Sequence, residues 1–303
     1  MRVIAVVGPT AAGKSELAIG LASRLGGEVL SVDSMQVYRE MDVGTAKPDA
    51  TTRGAVPHHL LDLVDPEFEF TVAEFQEVGV GVRDRLRAES ITPVVCGGSG
   101  LHFRALVDPL EFPPTDPKVR AELEQAGHDE LVAALQALDP HAAEHVDLAN
   151  PRRVVRALEI QRITGLTPSE RAASAAGEAV RRYLSAVPML VLGFDPGEAL
   201  ADRVAARFDR MLDRGLLEEV ERLAPRLGRT ARQAVGYKEL LPVVQGGVDL
   251  AEARDEALRA TLALAKRQRT FFGKDPRVHW IPWHHDPAQR LERALAAVEE
   301  AER

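Results

Sequence analysis

Val3-Ile4-Ala5-Val6-Val7 is an unbroken apolar run, rich in β-branched side chains and closed by Gly8-Pro9. Such a run predicts a short parallel strand buried on both faces. From Ser15 to Leu25 the apolar positions change to helical spacing (Leu17, Ala18, Leu21, Ala22, Leu25), and Gly26-Gly27 stops the segment. Val29-Leu30-Ser31-Val32 predicts a second strand, with Asp33 at its C-terminal end. A helix is expected over Phe70–Glu89. Further strands are expected at Thr92–Cys96, followed by Gly97-Gly98-Ser99-Gly100, and at Met189–Phe194. Strands alternating with helices predict a parallel α/β sheet, whose ligands gather beyond the C-terminal strand ends. The three polar loops lie there.

The texture changes near Pro113-Pro114. From Asp116 to about Arg182 the periodicity is helical, and Asn150-Pro151 reads as an N-cap followed by proline in the first helical turn. The segment Glu198–Phe272 is also mostly helical and carries a loop at Gln233–Lys238. The fold expected is α/β: a P-loop parallel-sheet core over 1–114 and 185–303, interrupted by an all-helical insertion over 115–184.

Composition narrows the function classes. The 303 residues are 45% hydrophobic, enough for a sizeable core, and the single cysteine, Cys96, excludes an intrachain disulfide or a cysteine-based zinc site. No apolar run approaches the ~20 residues of a membrane span, and the first residues lack the pattern of a secretory leader. A soluble, cytoplasmic protein with no membrane partner is expected. The net charge of −8 argues mildly against nucleic acid, but the basic residues cluster.

Gly8-Pro9-Thr10-Ala11-Ala12-Gly13-Lys14-Ser15 is a complete P-loop, placed between a strand and a helix as the motif requires. Its backbone N–H groups and the following helix N-terminus are suited to phosphate oxygens. Lys14 would neutralise the terminal phosphates and Ser15 would ligate Mg²⁺. Typical P-loop NTPases also hold Mg²⁺ through an aspartate ending a second strand. Here that strand ends in Gly97-Gly98, and the strand-terminal aspartate is Asp33. This suggests a transferase in which Asp33 acts on an acceptor.

Position alone leaves three roles for Asp33: general base, outer-sphere Mg²⁺ ligand or helix cap. Lys47, in Gly44-Thr45-Ala46-Lys47-Pro48, either reaches phosphate or is a solvated charge. Ser99 either hydrogen-bonds a ligand or belongs to a tight turn. Cys96 reads as a small core residue, and His58-His59 as structural, because adjacent side chains of an extended segment diverge. Trp280, Trp283, His284 and His285 read as packing and a polar turn. Arg152, Arg153 and Arg156 share one helical face at about 100° per residue, opposite Val154, Val155 and Leu158. Lys266-Arg267-Gln268-Arg269, with Lys274, forms a second basic group. Each alone reads as a solvated face; together with a phosphate site they favour a polyanionic partner.

The ordered motifs resemble the bacterial tRNA dimethylallyltransferases almost from end to end. They comprise the P-loop, Asp33-Ser34-Met35-Gln36-Val37-Tyr38, Met41–Pro48, Pro57–Asp62, Gly97–Leu101, Asn150–Glu159, Val235-Gly236-Tyr237-Lys238 and Lys266-Arg267-Gln268. The resemblance implies transfer of a dimethylallyl group from dimethylallyl diphosphate to the exocyclic amine of the adenosine just 3′ of the anticodon. The P-loop would hold the donor's diphosphate, with Mg²⁺, and Asp33, Lys14 and Ser99 would be catalytic. It further implies an insertion that grips the anticodon stem-loop and an adenosine flipped into the site. Met35, Gln36, Val37, Tyr38 and Leu101 would contact the RNA, as would Arg152, Arg153, Arg156, Gln233, Gly236, Tyr237, Lys238, Lys266, Arg267, Gln268, Arg269 and Lys274. A monomer is expected. The chain departs from the family pattern at Ser99 (usually threonine), His102 (tyrosine), Glu40 (glycine), Phe271 (tryptophan) and Gly273 (arginine). The alternative is a small-metabolite P-loop kinase with Asp33 activating a hydroxyl.

Overall fold

The computed structural model describes residues 2–303. Six parallel strands form one sheet: β1 (Val3–Val7), β2 (Gly27–Ser31), β3 (His58–His59), β4 (Thr92–Gly97), β5 (Met189–Gly193) and β6 (Val278–Trp280), in the order β3-β2-β4-β1-β5-β6. The central strand β1 is buried along its whole length, as its unbroken apolar run requires. Successive side chains point to opposite faces. Ile4, Val6, Val94 and Leu192 therefore pack in one cluster with α1 (Lys14–Leu25), while Ala5, Val7, Leu30 and Val95 pack in the other.

The second face is covered by helices that follow α2 (Ala50–Ala55): α3 (Val72–Ala88) and α4 (Gly100–Val107). A full capping box, Thr71 with Glu74, starts α3 and explains why it begins two residues inside the expected Phe70. The predicted strand at 29–32 ends at Ser31, although Val32 still donates to Cys96 O at 2.9 Å.

The chain divides into two compact units, 2–107 with 187–303, and Asp108–Ala186. The second is all-helical: α5 (Pro117–Leu123), α6 (His128–Leu138), α7 (Pro151–Thr164), α8 (Pro168–Ala173) and α9 (Ala175–Arg181) around Leu123, Leu135, Val154 and Leu158. Its bounds are wider than 115–184. Pro113 and Pro114, where the texture changes, belong to it, because their carbonyls accept from Arg156 at 2.6 and 3.0 Å.

The first unit resumes after β5 with α10 (Leu200–Asp213), α11 (Leu216–Leu223), α12 (Tyr237–Val244) and α13 (Leu250–Gly273), and ends, after β6, in α14 (Pro287–Glu302). Leu200 and Val204 of α10 pack with Ala11 and Ala265, which seats that helix against the P-loop. Trp280, expected only to pack, ends strand β6. Glu40, in place of the family's usual glycine, adopts φ 64 and is tied by Arg222 at 2.8 Å and Arg226 at 2.5 Å. That left-handed angle is the reason glycine suits the position.

Candidate active site

The P-loop turns from β1 into α1. Gly13 caps α1 at φ 88, where a side chain is strained. Lys14 retains some exposure to the cavities it lines, and its Nζ donates to Pro9 O at 2.6 Å. Burial lowers its pKa to about 8, with Cys96 and Asp33 opposing the shift and Arg207 adding to it. Burial pushes the nearby Cys96 thiol up to about 11. Cys96 is thus a neutral core residue at ordinary pH.

Asp33 follows β2 directly. Its Oδ1 accepts from Met35 N–H at 2.8 Å, an Asx turn that fixes the carboxylate without capping a helix. Its charge is felt by Lys14, Arg207 and His102. A cavity of about 290 Å³ has Met35, Phe208, Met211, Leu216 and Val235 in its wall. A second, of about 530 Å³, contains Lys14, Ser15 and Gln36. Thr10, Asp33, Gly98, Arg207, Leu264 and Gln268 line both, so Asp33 stands where a largely apolar space and the phosphate loop adjoin.

Ser99 lines the first cavity beside Asp33, and its Oγ is 2.7 Å from His102 Nδ1. His102 is buried edge-on against Phe75, with ring centroids 4.6 Å apart, and burial lowers its pKa to about 4. It is therefore a neutral imidazole at neutral pH. At Gly98 any Cβ would lie 2.2 Å from Gln268 Nε2, so only glycine lets that side chain approach.

Several expected RNA contacts are placed elsewhere. Gln268 accepts Thr10 N–H at 2.7 Å and belongs to the P-loop. Val37, Tyr38 and Tyr237 are core residues, and the Tyr237 hydroxyl donates to buried Glu219. Their ring and alkyl surfaces face the second sheet cluster, not a base. Gly236 is buried in the wall of the 290 Å³ cavity. Arg269 grips Asp195 at 2.5 and 2.7 Å. Arg156 is tied to Glu159 at 2.7 Å and to the Pro113 and Pro114 carbonyls. Lys47 is not solvated; its buried ammonium holds Asp42 at 3.0 Å and Asp62 at 2.5 Å. Phe272 is core, and Phe271 packs against Gly100, so neither ring is presented for stacking. Leu101, Arg152, Arg153, Gln233, Lys238, Lys266, Arg267 and Lys274 remain exposed. Met35 and Gln36 line the cavities.

Sequence reasoning missed a cationic group beside the P-loop. Arg203, Arg207, Arg210 and Arg214 recur at i, i+4, i+7 and i+11, and with Lys14 and Ser15 they line a third cavity of about 760 Å³. Arg203 Nε donates to Ala11 O at 2.7 Å, and Arg207 Nη1 to Thr10 Oγ1 at 3.0 Å. The signal was the helical spacing beside Leu200, Val204, Phe208 and Met211, which bury the adjoining face. Glu219 was also missed: it accepts the N–H groups of Asp42, Val43 and Gly44 at 2.8–3.0 Å, fixing the loop that precedes Lys47.

Family models described as IPP transferase and isopentenyl transferase match residues 36–275 and 1–54. A tRNA dimethylallyltransferase of Streptomyces coelicolor is 48% identical, covering 98% of this chain and 96% of its own. The full-length tRNA isopentenylpyrophosphate transferase of Bacillus halodurans superposes with a TM-score of 0.70 at 35% identity, over 99% of this chain and 97% of that one. A eukaryotic dimethylallyltransferase caught acting on tRNA gives a TM-score of 0.80 at 25% identity, over 100% of this chain and 80% of that one. These relatives overturn the small-metabolite kinase alternative. The chain belongs to the tRNA dimethylallyltransferase family of prenyl-transferring enzymes.

Proposed function

We propose that this enzyme transfers a dimethylallyl group from dimethylallyl diphosphate to the exocyclic amine of the adenosine just 3′ of the anticodon in tRNA. One observation carries the reading beyond family membership: Asp33 lines both the cavity of the P-loop and the more apolar cavity beside it. A base placed there serves an acceptor while the loop holds the donor's leaving group.

The reaction balances simply. The amine's nitrogen bonds to the allylic carbon, the bond from that carbon to the diphosphate oxygen breaks, and the amine's proton passes to Asp33. An adenine amine is a poor nucleophile because its lone pair is delocalised into the ring, so a positioned base matters, commonly by ~10²–10⁴-fold. Lys14, Arg207 and the loop N–H groups stabilise the departing diphosphate. Ser99, its hydroxyl held by His102, orients donor or amine in the cavity it shares with Asp33.

Mg²⁺ fits this chemistry. Among the described residues no cluster of three or more His, Cys, Asp or Glu could hold a metal, but Mg²⁺ characteristically takes one or two protein oxygens and completes its shell with waters and substrate phosphates. The Ser15 hydroxyl is such an oxygen, and the ion would supply neutralisation of the diphosphate. Arg152 and Arg153 of the insertion, with exposed Lys238, Lys266, Arg267 and Lys274, are assigned to the anticodon stem-loop. Incubation with dimethylallyl diphosphate, Mg²⁺ and unmodified tRNA, followed by nucleoside mass analysis, should yield dimethylallyladenosine. Unchanged adenosine would refute the reading.

A further inference from the structure

Trp283 and Arg290 line none of the three cavities around the P-loop, yet both act on the loop from its outer side. Trp283 Nε1–H donates to Ala12 O at 3.0 Å, next to the bond from Arg203 Nε to Ala11 O at 2.7 Å. In a planar trans peptide the C=O and the following N–H point in opposite directions. Fixing the Ala11 and Ala12 carbonyls on Arg203 and Trp283 therefore fixes the Ala12 and Gly13 N–H groups on the opposite side of each peptide. Neither N–H has a hydrogen-bond partner among the described residues. Such N–H groups of a glycine loop can donate to an anion.

The clamp has a second layer. The guanidinium carbons of Arg203 and Arg290 lie 5.1 and 5.6 Å from the Trp283 ring centroid. Arg290, only 2% exposed, donates to His284 O at 2.7 Å, His285 O at 3.0 Å and Glu16 at 2.8 Å. It thereby ties the segment carrying Trp283 to the first turn of α1. Arg290 also backs Gly13, where a Cβ would meet its Nη2 at 3.0 Å. Core packing alone does not call for a buried cation whose acidic partner is largely exposed.

We propose that Trp283 and Arg290 are positioning residues that hold the P-loop peptides oriented toward the donor's diphosphate. This rests on the reading that the loop takes that diphosphate, and the test separates the two. Inorganic pyrophosphate with Mg²⁺ is titrated calorimetrically into the full-length wild type, Trp283→Phe and Arg290→Met. Loss of one such hydrogen bond should weaken pyrophosphate binding by about three- to tenfold in Trp283→Phe. The donor's KM should rise in parallel, with kcat and tRNA affinity within twofold of wild type, and Arg290→Met should behave likewise. Because Trp283 and Trp280 are the two tryptophans, Trp280→Phe leaves Trp283 as the sole tryptophan, excited selectively over the tyrosines, with the clamp intact. Its emission should shift with pyrophosphate and saturate at the calorimetric Kd. Wild-type binding with unchanged affinity in both variants, or with a silent Trp283, overturns the clamp. A wild type that does not bind pyrophosphate removes the donor site itself, and the clamp with it.

Discussion

Helices α7 and α10 carry arginines at similar helical spacings, and the two sets do opposite work. On α7, Arg156 is spent on its own unit: with Arg120 it surrounds Glu159, which has no exposed surface, and it caps the Pro113 and Pro114 carbonyls. Of the Arg152, Arg153 and Arg156 group, only Arg152 and the loosely paired Arg153 remain presented. On α10, Arg203 and Arg207 bond to the P-loop, and all four arginines line the cavity that they share with Lys14. Arginine spacing thus marks a face; what that face does is decided by what it packs beside. A buried carboxylate draws arginines inward as structural partners, whereas a phosphate loop leaves cationic groups gathered and only partly neutralised.

Four perturbations sharpen this contrast, in decreasing order of effect. Asp33→Asn should lower kcat by about 10²–10⁴-fold with tRNA affinity preserved, measured by single-turnover kinetics and filter binding. Arg207→Ala should lower kcat/KM for the donor by about 10²–10³-fold, the scale of losing one group that stabilises developing negative charge. A comparable loss from Arg152→Ala would erase the distinction between the helices. Arg156→Ala should cost about 1–3 kcal/mol, because Glu159 loses a partner while Arg120 remains; urea unfolding reads this. Arg152→Ala with Arg153→Ala should weaken tRNA binding by a few fold at moderate salt and reduce the salt slope by about one for each phosphate no longer neutralised.

The pH dependence separates the P-loop from the RNA-facing surface in another way. On the proposed reading Lys14, held near a pKa of about 8 by burial, meets the diphosphate as the ammonium. As pH rises through that value the charge is lost, so kcat/KM for the donor should fall about tenfold per unit above it. Affinity for tRNA, in which Lys14 has no assigned part, should not follow.

Much of the core was legible because the chain states it locally. β1, the P-loop and α1 form an apolar run, a glycine turn and a helical repeat in immediate succession, and β4 with Gly97-Gly98 repeats the device. The parts that escaped depend on distant partners. Strands β3 and β6 span two and three residues and carry no apolar run; they exist because β2 and β5 offer edges to pair with. Gln268 looked like one member of a basic segment until α13 brought it against Gly98 and Thr10. Tyr237 looked available beside Lys238, yet Glu219 draws it into the core. The arginines of α10 were visible as residues, but Leu200 and Val204 packing on Ala11 are what turn Arg203 and Arg207 toward the P-loop.

The most direct test is a structure of the enzyme with the unreactive dimethylallyl thiolodiphosphate, Mg²⁺ and an anticodon stem-loop. The diphosphate should lie on the N–H groups of Gly8–Ser15, with an Asp33 carboxylate oxygen within about 3.2 Å of the adenosine's exocyclic amine. A diphosphate bound away from that loop, or an Asp33 carboxylate still engaged only with Met35 N–H and remote from the amine, would contradict the account.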